Sequence, residues 1–203
     1  MDLTYPPEPW HLQGHAFVGV WLLPKDVAPP PHHAGTHAIR VFGRTVVGAA
    51  FFRYDAPSPL TYDEIMATAL VRDGLRPRVS ITHIWVDSPA SRDGGRALWA
   101  IPKELAEFER RSGRSYVARD IGSLAVRKNR RMPFGLPVGF RIAQDRAGRL
   151  VTTRVRGRAR VGVVRGRWTF EPDGALSFLS GRRPLMTLAL YPFRLTFGAA
   201  RAD

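Results

Sequence analysis

Apolar and β-branched residues recur along this chain in short runs broken by turn residues, the pattern of a protein built mainly from strands. Pro6, Pro7 and Pro9 hold the start extended, because each proline disfavours helix at itself and at its predecessor. A first strand is predicted over 16–23. Residues 27–37 contain three consecutive prolines and three histidines and read as a loop. Strands follow over 38–42 and 46–52, with a turn at Gly43-Arg44. The segment 62–72 fits two states. Ile65, Met66, Ala69 and Leu70 share a helical face, whereas its short length and the Asp73-Gly74 turn behind it suit a hairpin. Residues 78–86 are β-branched and aromatic, and form a strand that ends at Asp87.

A helix start comes next. Asp87 or Ser88 can cap it and Pro89 suits its first position, so a helix is predicted from 90 to 99 despite Gly94-Gly95. Pro102 pushes Ile101 out of the α region, which ends the helix at Ala100 and leaves Lys103 on an irregular link. Residues 105–110 and 115–120 read as a hairpin about Ser112-Gly113. Strands over 139–143, 150–156, 158–165 and 167–170 follow, separated by turn signals at Asp145-Arg146-Ala147-Gly148 and Pro172-Asp173-Gly174. A helical turn over 176–181 and a last strand over 185–197 close the chain. The expected fold is mainly β, a barrel or strongly curved sheet with two or three short helices, in a single domain over 1–203.

Composition narrows the chemistry. There are no cysteines, which excludes disulfides, thiolate zinc sites and cysteine nucleophiles. The apolar stretch 16–23 is too short to span a bilayer, and no basic segment precedes it as a secretory signal requires. A cytoplasmic protein is expected, with no membrane partner. The net charge is +14, but 28 of the 31 basic residues are arginine, and Lys25, Lys103 and Lys128 are the three lysines. Such a bias reads as codon usage in a GC-rich genome. The charge favours anionic ligands. Arg154, Arg156, Arg158 and Arg160 alternate with Val155 and Ala159, as on a solvated strand face. Aromatic residues do not interleave with them or with the dense run Arg127-Lys128-Asn129-Arg130-Arg131, so a nucleic-acid partner is not expected. His32, His33 and His37 sit in a proline-rich loop without a nearby carboxylate and are not read as metal ligands.

Three pieces stand in order: Thr61-Tyr62-Asp63-Glu64, the strand Ile84-Trp85-Val86-Asp87, and the run 95–106 containing Gly95-Arg96 and Pro102-Lys103-Glu104-Leu105. Together they resemble the acetoacetate decarboxylase superfamily. There a Tyr-x-Glu segment precedes a strand ending in Val-Asp or Leu-Asp, and a Gly-Arg-Glu-Leu helix leads into Pro-Lys-Lys-Leu. The resemblance covers residues 62–108 well. It implies a cone-like barrel, assembly into homo-oligomers, and Lys103 as an imine-forming nucleophile. It also implies Glu64 as an active-site carboxylate that orients substrate or moves protons, with no cofactor and no metal. A lysine attacks a ketone only as the free amine, although its ordinary pKa is about 10.4. Desolvation or a neighbouring cation must activate it, and acetoacetate decarboxylase itself is the general example of that activation. Trp99, Ile101, Leu105 and Phe108 offer an apolar setting.

Two departures alter the expectation. Glu104 stands where the decarboxylases carry a second lysine, and a carboxylate there would favour the protonated amine. The family's N-terminal active-site arginine has no equivalent: alignment on Pro9-Trp10 puts His15 at that place, and Arg53 is the alternative carboxylate anchor. The expected function is a lysine-imine lyase, decarboxylase-like or aldolase–dehydratase, acting on a small β-keto or 2-oxo acid other than acetoacetate. The alternatives are a non-catalytic barrel binding a small hydrophobic or anionic ligand and, third, a nucleic-acid-associated basic protein. Asp87 reads as a cap, and His83, Trp10, Trp85 and Trp99 as core or pocket wall.

Overall fold

The computed structural model describes residues 5–111, 114–131 and 134–202. The Ser112-Gly113 turn, and the side chains of Lys128, Asn129, Arg130 and Arg131, lie outside the described residues. The strands are β1 Trp10–Leu23, β2 His37–Ala38, β3 Arg40–Val41, β4 Arg44–Tyr54, β5 Tyr62–Asp73 and β6 Arg76–Val86. After the helix α1 Pro89–Trp99 come β7 Lys103–Leu105, β8 Phe108–Arg111, β9 Ser115–Ala118, β10 Gly122–Arg131, β11 Leu136–Arg146, β12 Arg149–Phe170 and β13 Met186–Ala202. A 3-10 turn occupies Ser177–Leu179.

The thirteen described strands form one sheet, seven of which curve into a ring in the order β6-β5-β4-β1-β13-β12-β11 and back to β6, while β10, β9 and β8 continue outward from β12. The closing contact is narrow, a parallel pairing of Ile142 with Val79. Gln144, fully buried in β11, completes it: Oε1 accepts the Ile81 N–H at 2.9 Å and Nε2 donates to the Ile81 carbonyl at 3.1 Å. A side-chain amide thus replaces main-chain ladder bonds that this edge of β6 would otherwise lack.

The ring buries apolar side chains on both faces. Inside, Trp10, Leu12, Tyr62, Ile84, Ile142, Val155, Phe193 and Leu195 form a core with Trp99 of α1. Outside β1, β4 and β5, Phe17, Trp21, Val47, Phe51 and Ile65 pack under Tyr116, Leu124, Trp168, Phe170 and Leu179. Two-sided burial explains why 62–72 lacked clean alternation: β5 is covered on both faces, and the segment is strand throughout.

Other differences from the sequence reading have equally local causes. β1 begins at Trp10, where Trp10 and Leu12 already alternate inward. β12 runs unbroken for 22 residues. Gly157 does not interrupt it, because that glycine marks a close approach: a Cβ there would come within 1.9 Å of the Arg194 carbonyl oxygen. Arg154, Arg156, Arg158 and Arg160 are exposed while Val155 and Ala159 are buried, as the alternation predicted. Among the described residues there is one α-helix besides the 3-10 turn. No helix among them is long and apolar enough to cross a membrane.

Candidate active site

Helix α1 packs against the ring through Ser91, Gly94, Gly95 and Trp99, residues at helical spacing along one buried stripe. Ser88 is the cap, its Oγ accepting from the Ser91 N–H at 3.2 Å. Asp87 is not the cap; its Oδ1 accepts the Asp63 N–H at 2.8 Å and ties the end of β6 to β5. The two glycines let other groups come close. A Cβ on Gly94 would lie 2.7 Å from the Trp10 ring, and one on Gly95 would lie 2.7 Å from Lys103 Cδ.

The helix ends at Ala100 in the left-handed region, φ 54°. The chain then turns so that Lys103 opens β7, which lies parallel to β6 with Lys103 opposite Ile84. Lys103 therefore sits on a sheet edge rather than an irregular link. Arg96 fixes this segment from the helix: Nε donates to the Lys103 carbonyl at 2.6 Å, and Nη2 binds the Glu104 carboxylate. Glu104 is thereby held outward, with its side chain 62% exposed, and does not meet the Lys103 amine.

The Lys103 side chain enters the ring and is buried. Its Nζ donates to Glu64 Oε2 at 2.8 Å, to Ser91 Oγ at 2.9 Å and to the Tyr62 hydroxyl at 3.4 Å. An ammonium has three hydrogens, and each has an oxygen. The Tyr54 hydroxyl donates to Glu64 Oε1 at 3.0 Å. Burial alone would depress the Lys103 pKa, but Glu64 and then Tyr62 outweigh it and hold the ammonium above the usual lysine range. The same burial pushes the Tyr62 phenol up to about 12, against the opposing pull of Lys103, and raises Tyr54 well above the ordinary tyrosine value.

Trp10, Trp99, Ile81, Ile101, Met66 and Phe197 complete the cavity wall. Both indole N–H groups are spent, Trp10 on the Pro6 carbonyl and Trp99 on that of Gly198, each at 2.9 Å. The free space is about 20 Å³, the scale of one water molecule. What the arrangement offers a ligand is a primary amine, a carboxylate and two phenols, in an apolar enclosure.

Of the residues singled out from sequence, Lys103, Glu64, Trp99 and Ile101 line this one cavity. Arg53 and His15 do not. They pair across β1 and β4 on the other face of the sheet, because side chains alternate along a strand. Arg53 is held there by Asp63, with Nε to Oδ1 at 2.7 Å and Nη2 to Oδ2 at 3.1 Å, and His15 meets the Tyr116 hydroxyl at 3.1 Å. Neither is available as the carboxylate anchor. Leu105 is exposed and Phe108 packs with the outer core, so neither furnishes the apolar setting expected of it. His32 Nδ1 accepts the Asp145 N–H at 2.9 Å, and no metal-binding group of residues occurs among the described ones. Tyr54 and Ser91 were not singled out, and Arg96 entered only as part of the Gly95-Arg96 run. Ser91 and Gly95, four apart on one helix face, are the signal that would have found the helix side of the site.

The acetoacetate decarboxylase family model matches residues 37–132, the span that carries Glu64, α1 and Lys103. No curated protein matches the sequence. Among solved structures, acetoacetate decarboxylase from Legionella pneumophila superimposes with a TM-score of 0.74 at 16% identity, covering 100% of this chain and 90% of that one. The enduracididine biosynthesis enzyme MppR complexed with pyruvate gives 0.64 at 16% identity, covering 97% and 91%. An acetoacetate decarboxylase-like enzyme from Sphingomonas wittichii gives 0.64 at 14% identity, covering 98% and 94%. The family model covers just under half of the chain and the fold is shared over nearly all of it, so this chain is similar to the acetoacetate decarboxylase superfamily in the span that carries Glu64 and Lys103 and in its overall fold.

Proposed function

We propose that this protein is an enzyme that forms an imine between Lys103 and a small β-keto or 2-oxo acid. The observation that carries the reading is a buried amine on Glu64, with Glu104 turned away by Arg96. Glu64 accepts a proton from the Lys103 ammonium, and the freed Nζ lone pair adds to the ketone carbon. The former carbonyl oxygen takes up protons and departs as water, leaving a cationic imine. Electrons from the adjacent bond flow into that imine: either the bond to the carboxylate breaks and carbon dioxide leaves a β-keto acid, or an α C–H bond breaks, its proton passing to Glu64 once Glu64 has given its own proton to the departing water, and the resulting enamine attacks an aldehyde. Hydrolysis returns the lysine. None of these steps needs a metal or an organic cofactor.

Among the described residues, the cavity wall contains no guanidinium. A substrate carboxylate, of acetoacetate or of a 2-oxo acid alike, would meet phenols beside Glu64 rather than a guanidinium; between the two chemistries we favour the aldolase–dehydratase branch. The relative bound to pyruvate lends this branch support. Borohydride reduction with a panel of keto acids, pyruvate and acetoacetate included, followed by intact-mass analysis and peptide mapping, tests the proposal. An adduct on Lys103 is expected; a panel that leaves the mass unchanged would falsify it.

A second reading has its own observation. A fully hydrogen-bonded ammonium raised in pKa, beside about 20 Å³ of space, also suits a non-catalytic barrel whose ion pair is structural. That reading requires thermal stabilisation by ligand without turnover. We further propose a cytoplasmic homo-oligomer. Phe42 and Leu75, each 95% exposed at hairpin tips, are the side chains that such assembly would cover.

A further inference from the structure

Where β11 meets β6, the outer face of the ring holds a cavity of about 370 Å³ lined by Arg76, Arg78, Arg141, Arg201 and Thr152. Strand register gathers these residues. Ile142 pairs with Val79, bringing β11 to β6, and Thr152 pairs with Arg201 across β12 and β13. Arg141 stands directly opposite Arg154. Like charges so placed destabilise a sheet. No carboxylate lines this cavity, and Arg76, Arg141 and Arg201 have no ion-pair partner among the described residues.

Arg78 gives the cavity its meaning. It is 8% exposed, yet its Nε–H is buried without an acceptor among the described residues. Its other nitrogens have partners: Nη1 donates to the neighbouring Pro77 carbonyl at 3.1 Å, and Nη2 forms an ion pair with Asp73 Oδ2 at 3.5 Å. Arg78 thus brings a largely buried positive charge to the cavity with Asp73 as its ion-pair partner, and an anion bound beside it would offset the charge further. A basin of about 550 Å³ shares Arg141 and Arg201 and adds Arg154 and Arg156, with Glu8 as its one carboxylate.

We propose that this arginine cavity binds the phosphate group of a small phosphate-bearing metabolite, at a site on the outer face of the ring, apart from Lys103. Guanidinium forks match phosphate oxygens two at a time, and a dianion with several free oxygens engages more of them than one carboxylate does. The volume exceeds that of bare phosphate and falls within the range of small-molecule sites, leaving room for an organic part. A concave site without interleaved aromatic residues argues against a nucleic-acid strand.

The test is calorimetric titration of the full chain, at fixed ionic strength, with inorganic phosphate, adenosine monophosphate and malonate in separate runs. Saturable binding of phosphate and of the monophosphate is expected, with malonate weaker by about tenfold. The double substitution Arg141→Gln, Arg201→Gln lowers phosphate affinity by about tenfold or more. Borohydride labelling of Lys103 is unaffected by it, so this site and the imine chemistry stand or fall separately. The proposal is overturned if phosphate gives no more response than chloride, or if the double variant binds phosphate as the native chain does. Tighter binding of short duplex DNA than of the monophosphate, with a steep salt dependence, overturns it as well.

Discussion

Gly95 supports the aliphatic stem of Lys103: a methyl group on that glycine would come within 2.7 Å of Cδ and 2.9 Å of Cε. Helix propensity alone favours Gly95→Ala by about 0.8–1 kcal/mol. The contact predicts the opposite for function. The added methyl displaces Nζ from Glu64 and Ser91, and misplacement of a reacting atom by about 1 Å costs on the order of 100-fold. Borohydride trapping with pyruvate should fall accordingly while the melting temperature changes by a few degrees; undiminished trapping would refute the role given to this contact.

The Lys103–Glu64 pair is buried, so removing one partner strands the other. Lys103→Met is expected to cost about 3–5 kcal/mol in urea unfolding, and the double change Lys103→Met, Glu64→Gln clearly less. Because the folded pKa of Lys103 is raised, its contribution is fully present below the unfolded value of about 10.4. It is lost as pH rises through the folded value. A difference between native and Lys103→Met that stays constant through that alkaline range would contradict the assignment.

The proposed imine formation requires the free amine, which is scarce for Lys103 at neutral pH because its pKa is raised. The trapping rate should climb with pH toward the alkaline range, about tenfold per unit. Glu64→Gln removes the largest influence holding the pKa up and leaves burial, which lowers it. The profile should therefore move to lower pH even though the maximum rate falls. Rates measured by rapid quench across pH 6–11 decide this, and an unmoved profile would mean that Glu64 does not set the protonation of Lys103.

His15, His32 and His83 all have depressed pKa values, each chiefly because burial penalises the charged ring. The unfolded chain then binds more protons than the folded one below about pH 6.5. Stability is present above that value and declines as pH falls through the folded values. The urea midpoint should drop between pH 7 and pH 5, and the replacement His83→Gln should flatten part of the slope.

Phe42 and Leu75 cap the β3–β4 and β5–β6 hairpins, and the pairing of Val47 with Ala69 sets both tips at one end of the sheet. If copies of the chain assemble there, Phe42→Ser with Leu75→Ser should reduce the sedimentation coefficient without changing the far-ultraviolet spectrum. Identical sedimentation would move the interface elsewhere.

Part of the candidate site, the shared cavity of Lys103 and Glu64, was legible because its residues are unusual in their setting. Lys103 is one of three lysines among 28 arginines, and Pro102 fixes where the helix releases the chain. Glu64 lies in a strand whose apolar neighbours left no polar face to expose. What escaped the sequence depends on pairing between distant segments. Tyr54 reaches Glu64 only because β4 and β5 align Phe52 with Glu64 and Tyr54 with Tyr62. Arg53 was misplaced for the same reason, since one step along β4 carries a side chain through the sheet. Gly94-Gly95 looked like a weakness in a helix and is a packing surface for Trp10 and Lys103.

Strand β12 belongs to both cores: Val155 and Ala159 face the interior of the ring, whereas Val164, Trp168 and Phe170 lie in the outer layer. A register shift between Ala159 and Val161 carries one continuous backbone from the first to the second. Neither layer can melt without pulling on the strand that anchors the other, so heat or urea should abolish both in a single cooperative transition. The lysine chamber and the arginine seam consequently share one stability, and weakening either would be felt across the whole chain.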